Sequence, residues 1–183
     1  LFAVSIASSA SIAGGLFQLI SHTLSKVVLF LAVGYMIYRS GSTDIASLEG
    51  IGKRMPLTSV AFVVAAFSLV GLPPFAGFPS KFMIVRAAVA EGGGIFLMLI
   101  GLVLGGTVIE GAYFFRVIQT IFFKKGDARP ERNDAPAVAL APIFIIVVLI
   151  IAIGVYPDAI TGVLNSAASE LIERADYVRS VLG

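Results

Sequence analysis

The 183-residue chain has no cysteine and a single histidine. The first absence excludes disulfides and thiolate metal sites, and the second excludes a multi-histidine metal site within this chain. Charge is scarce too. Only 13% of residues are charged, about half the share in a soluble domain. A net charge of +2 is too small to argue for a nucleic-acid partner. No Walker-type, Rossmann, catalytic-triad or thiolate-cluster motif is present, so redox chemistry would have to sit in other subunits. The first residue is Leu1, and no basic n-region precedes the first apolar run, which reads as part of a longer polypeptide.

What remains is apolar: 58% hydrophobic residues and a mean hydropathy of +0.99. The fold class expected is all-α and integral to a membrane, with about four transmembrane helices, one of them broken.

The broken segment organises the rest. It runs from Leu57 to Ala90, interrupted by Gly71-Leu72-Pro73-Pro74-Phe75-Ala76-Gly77-Phe78-Pro79-Ser80-Lys81. Its halves, Leu57–Val70 and Ser80–Ala90, would be ~21 and ~16 Å long, each short of a ~30 Å hydrocarbon core. Pro73, Pro74 and Pro79 remove backbone donors, while Gly71 and Gly77 let the chain bend. Such a break is tolerated at membrane depth only when buried in protein or lining a wet cavity. Lys81 beside it costs at least ~2.5 kcal/mol at mid-membrane unless it finds partners or water.

Taken in order, Leu1–Ala13 reads as the end of an earlier helix or as a Ser/Ala-rich loop, with a joint at Gly14-Gly15. Leu16–Tyr38 makes one span. Gln18, His22 and Lys26 follow at i, i+4 and i+8 on one face of it, with Ser21 and Ser25 nearby. Arg39–Pro56 is a polar loop, 57–90 the broken span, and Glu91–Gly94 a tight turn. Ile95–Phe123 is the next span, rich in glycine and carrying Glu110 and Arg116. Lys124–Asp134 is a charged loop and Ala135–Tyr156 the plainest span. Residues 157–183 read as an amphipathic tail. Ile160, Val163, Leu164, Ala167, Leu171, Ala175 and Val178 recur at helical spacing in it, suited to a membrane surface or a partner. The basic residues cluster in 39–56 and 124–134. The positive-inside rule puts those loops in the cytoplasm and the tail outside the cell membrane.

Three stretches together resemble one family. His22-Thr23-Leu24-Ser25-Lys26 followed by Leu29-Phe30-Leu31 and Gly34, the run Ser68 to Lys81 with Met55-Pro56-Leu57 ahead of it, and Ala112-Tyr113-Phe114-Phe115-Arg116 fall in sequence on the expected spans. They are similar to consecutive helices of the antiporter-like subunits of respiratory complex I, multisubunit sodium/proton antiporters and membrane-bound hydrogenases. The resemblance implies two inverted five-helix repeats, of which this chain would cover most of the second and one following helix. It implies a midplane relay of protons through Lys26, His22 and Lys81. Gln18, Ser21, Ser25, Ser80 and Glu110 are candidate relay or supporting groups, and Gln18 stands where some members have another histidine. No cofactor or metal is implied in this chain; iron–sulfur clusters or flavin would reside in partner subunits of a redox-driven complex. Serines and water at a helix break bridge gaps between ammonium and imidazole groups, which exchange protons.

Blander readings stand beside these. Lys81 is a snorkelling lysine if Leu57–Phe78 is itself the span. Lys26 is half of an ion pair, and His22 a hydrogen-bonded packing residue. Glu110 pairs with Arg116 or Arg86, or extends the relay. On the whole-chain level the alternatives are a proton-translocating subunit of a redox-driven complex, a subunit of a sodium/proton antiporter without redox partners, or a non-conducting scaffold.

Overall fold

A computed structural model describes residues 3, 6, 8–124 and 134–182, with side chains to residue 174. All regular structure among them is helical. Helix α1 runs from Ser9 to Ser40. Ser8 and Ser11 form a reciprocal capping box at its start, and Gly41 closes it in the left-handed conformation at φ 73°. The joint expected at Gly14-Gly15 is absent, since both residues lie inside α1. Chain entry is at Ser8 instead, with Ala3 and Ile6 helical and buried before it. The reason is packing. A Cβ at position 14 would stand 3.0 Å from the Ile84 side chain and 3.1 Å from that of Met83, so glycine here brings two helices together rather than bending one.

A 3-10 turn at Ile45–Leu48 and the short α2 (Ile51–Arg54) lead to α3 (Pro56–Val70). Pro56 takes the first helical position, where no donor is lost. No local side chain caps this helix. Asp134, far along the chain, accepts the N–H of Leu57 at 2.7 Å and of Thr58 at 3.3 Å, and the Thr58 hydroxyl at 2.5 Å. Helix α4 is Gly77–Glu91. Pro79 therefore sits in the first turn of α4 and does not break it. The interruption itself is Gly71–Ala76. At ~22 Å each, α3 and α4 are both short of a bilayer core.

The break is held by α6 (Ala137–Val155). The Ala76 N–H donates to the Ile150 carbonyl at 3.1 Å, supplying a partner to backbone that no helix satisfies. Gly154 makes this approach feasible, because a Cβ there would lie 2.1 Å from the Pro74 carbonyl oxygen. Between α4 and α6 runs α5 (Gly94–Phe122), entered through Gly92 and Gly93 at φ 70° and 90°. The main core gathers Met36, Met55, Phe62, Ile121, Ile143 and Ile150. Phe62 meets Phe114 edge-on at 6.2 Å.

The last helix, α7, spans Asp158–Leu182. It packs on the first half of α1, burying Leu164 and Ala168 against Ala13 and Phe17. Val163 and Leu171 of the expected apolar face remain exposed. The side chains of Ala175 and Val178, and the loop residues Lys125, Arg129 and Arg132, lie outside the described residues. Among the described residues three helices, α1, α5 and α6, are long and apolar enough to cross a membrane.

Candidate functional site

Lys81 lies one turn into α4 and reaches back across the break. Its Nζ donates to the carbonyls of Leu69 at 2.8 Å and Val70 at 2.9 Å, and to Thr107 Oγ1 at 3.2 Å. An ammonium has three N–H donors, and all three are placed. Two of them satisfy carbonyls that the end of α3 leaves without helical partners. Gly71 makes room for the stem: a Cβ there would stand 2.8 Å from Lys81 Cδ, and its φ of 86° suits glycine. The Glu110 carboxylate lies 3.7 Å from Nζ. Glu110 thus pairs with Lys81, and neither Arg86 nor Arg116 is its partner. Both arginines are exposed, because their positions on α4 and α5 turn them away from the break.

Beside the lysine is a buried hydroxyl cluster drawn from three helices. Ser80 Oγ of α4 donates to Gln18 Oε1 at 2.5 Å and lies 3.4 Å from Ser21 Oγ. Ser25 Oγ lies 2.7 Å from the Ser21 carbonyl and 2.8 Å from Ser68 Oγ of α3. All four serines are buried. Gly77 permits this crowding, since a Cβ would lie 1.7 Å from the Ser68 carbonyl oxygen. A cavity of about 470 Å³ reaches both Gln18 and Lys81, with Leu19, Ile84, Val103 and Leu171 among its apolar walls.

His22 is half-buried on the same face of α1 as Gln18, within electrostatic reach of Lys26, Lys81 and Glu110. Lys26 is exposed and makes no hydrogen bond or ion pair among the described residues. Gln18, Ser21, Ser25, Ser80, Lys81 and Glu110 are therefore brought together, His22 borders them, and Lys26 lies exposed one turn beyond His22. Two contributors are new. Ser68 was visible as a hydroxyl just before the break, and Thr107 as a polar residue one turn before Glu110. Among the described residues no three His, Asp or Glu side chains gather as a metal-binding group.

Residues 1–109 match the family described as NADH:quinone oxidoreductase/Mrp antiporter, transmembrane. The chain belongs to that family. It is an all-α integral membrane protein of the antiporter-like kind. NADH-quinone oxidoreductase subunit N of Desulforudis audaxviator is 32% identical over 160 residues, covering 80% of this chain and 31% of that protein. A putative antiporter subunit mnhD2 of Staphylococcus epidermidis is 32% identical over 161 residues, covering 85% of this chain and 31% of its own. Among solved structures, a chain of the archaeal membrane-bound sulfane sulfur reductase, a respiratory membrane complex, is 37% identical with a TM-score of 0.80. It is matched over 93% of this chain and 34% of its own. The chain thus spans about a third of the length of the relatives it matches.

Proposed function

We propose that this chain forms part of a proton-translocating, antiporter-like membrane subunit of a redox-driven multisubunit complex. The observation that carries the reading is the hydrogen-bonded assembly at the break. Lys81 donates to the carbonyls at the end of α3, and beside it Ser80 begins a cluster of hydroxyls that reaches Gln18, on the same face of α1 as His22 and Lys26, with one cavity touching both Lys81 and Gln18. An ammonium, an imidazole and a second ammonium flank that cluster. Between them lie groups that both accept and donate hydrogen bonds, the requirement for passing protons. Lys26, His22 and Lys81 are the relay groups in this reading; Gln18, Ser21, Ser25 and Ser80 support them.

In the membrane, residues 57–90 count as one broken span among four, with 16–38, 95–123 and 135–156 as the others and 157–183 as a tail. The basic loops 39–56 and 124–134 face the cytoplasm of a cell membrane. The partners are other membrane subunits, and redox centres belong to those partners. A second reading, a sodium/proton antiporter subunit without redox partners, rests on the 32% identity to a relative named as a putative antiporter subunit, equal to that of the relative named for NADH-quinone oxidoreductase.

The test is proton transport by the intact assembly in sealed vesicles, with Lys26→Ala and Lys81→Ala beside the native protein. Loss of transport with assembly preserved supports the relay. Unchanged transport makes the chain a scaffold. Iron–sulfur or flavin subunits in the purified assembly separate the first reading from the second.

A further inference from the structure

We infer that Glu110 is the group that exchanges a proton with Lys81, with Thr107 as the residue that positions the ammonium for the exchange. The inference rests on the relay reading above and adds two residues of α5 to it.

The hydrogen bonds of Lys81 are not equivalent. The Leu69 and Val70 carbonyls only accept, and they close the end of α3. Thr107 Oγ1 also accepts from Lys81, and it passes its own hydrogen to the Val103 carbonyl at 3.0 Å. A neutral amine keeps two N–H groups. Lys81 can therefore give up one proton and still satisfy both carbonyls, leaving the break as it is. The proton free to leave is the one on the α5 side, where Glu110 stands one turn beyond Thr107 with Oε2 at 3.7 Å from Nζ. Closing that gap to the ~2.8 Å of a charge-assisted hydrogen bond takes about 1 Å of side-chain movement. In the step itself, the N–H bond of Lys81 breaks and an O–H bond forms on Glu110. A charged pair becomes a neutral amine and a neutral carboxylic acid.

The surroundings suit such a step. Helix α3 carries no charged residue toward the pair. From α4 comes Lys81 alone, since Arg86 is exposed. From α1, His22 is within electrostatic reach of both partners, and Lys26 lies one turn further. Arg116 sits two turns away on α5. The side chains of Lys81 and Glu110 are 20% and 38% exposed, so the carboxylate is the more open end of the pair and the better placed to pass a proton on.

The experiment uses the full-length protein in its native membrane assembly, in sealed vesicles, with proton flux read against pH. Glu110→Gln assembles and lowers flux about 100-fold, the scale of a lost acid–base group. Glu110→Asp, which draws the carboxylate back by one methylene, restores part of the flux with an altered pH profile. Thr107→Val slows flux, and Thr107→Ser recovers it. Native flux in Glu110→Gln overturns the inference. If Glu110→Gln does not assemble, native flux and an unchanged pH profile in Glu110→Asp overturn it. Loss of flux in Lys26→Ala and Lys81→Ala with native flux in Glu110→Gln leaves the relay standing and removes Glu110 from it. Retained flux in the lysine variants removes the relay reading itself.

Discussion

Ser25 and Ser68 lie 2.8 Å apart, hydroxyl to hydroxyl, in a contact that ties α1 to α3 just ahead of the break. Ser25 has one hydrogen and two neighbours able to accept it. It donates to both, to the Ser21 carbonyl at 2.7 Å and to the Ser68 hydroxyl oxygen, so the one hydrogen is shared between two acceptors. Ser68→Ala removes one of these acceptors and leaves the Ser25–Ser21 bond intact. The expected cost is about 1 kcal/mol, the net worth of one neutral hydrogen bond. Thermal unfolding of the purified assembly in detergent checks it. A loss above about 3 kcal/mol would mean that the hydroxyl cluster acts as a unit rather than as separate pairs.

Gly77 tests how closely the two half-helices must approach. A methyl group there meets the Ser68 carbonyl oxygen at 1.7 Å, and the obstacle is backbone that cannot swing away. Gly77→Ala is expected to cost at least ~3 kcal/mol, the upper end of overpacking, and to reduce assembled protein. Gly162→Ala is the control. That glycine is inside α7 with nothing within 4 Å of an added Cβ, so alanine should stabilise by roughly 0.5–1 kcal/mol. Equal behaviour of the two variants would show that the close approach at Gly77 is not needed.

What the sequence announces and what it conceals divide along physical lines. The break was legible because proline and glycine act on their own backbone, and Lys81 because a charge in an apolar run needs a partner. Gly14-Gly15 misled for the complementary reason. Two glycines look the same locally whether they bend a helix or admit a neighbour, and only the packing against Met83 and Ile84 decides. Thr107 as a partner of Lys81 was hidden, because that contact joins residues 26 positions apart. The start of α3 was hidden in the same way. Caps usually precede their helix, but here the residue before Pro56 is Met55, and the capping carboxylate comes from position 134.

That remote cap yields its own prediction. Asp134 accepts two backbone N–H groups at the start of α3 and receives the Thr58 hydroxyl as well. Asp134→Ala should destabilise by about 1–2 kcal/mol, the range for a lost N-cap. Asp134→Asn keeps a good capping oxygen and should recover most of it, short of the helix-dipole share of ~0.3–1 kcal/mol. Lys124→Ala, which breaks the exposed 2.9 Å pair with Glu49, should shift stability by no more than ~1 kcal/mol. Thermal melts of the three variants check the ranking. Asp134→Ala as mild as Lys124→Ala would remove the capping role.

Lys81 has two duties at the break, and an alanine variant cannot tell them apart. Removing the side chain takes away any relay proton, and it also leaves the Leu69 and Val70 carbonyls without donors. An unmade buried hydrogen bond costs about 1–3 kcal/mol, so Lys81→Ala is expected to be both inactive and less stable. Arginine separates the duties. It offers five N–H donors for the same carbonyls but does not release a proton in proteins. Lys81→Arg should therefore assemble better than Lys81→Ala and still transport no protons. Its stem, one methylene shorter before the guanidinium, passes the hydrogen-only face of Gly71, where the lysine chain already lies close. Paired measurements of assembly size and vesicle proton flux decide the matter. If Lys81→Arg transports at the native rate, position 81 needs only a fixed cation to hold the end of α3, and the proton passes elsewhere.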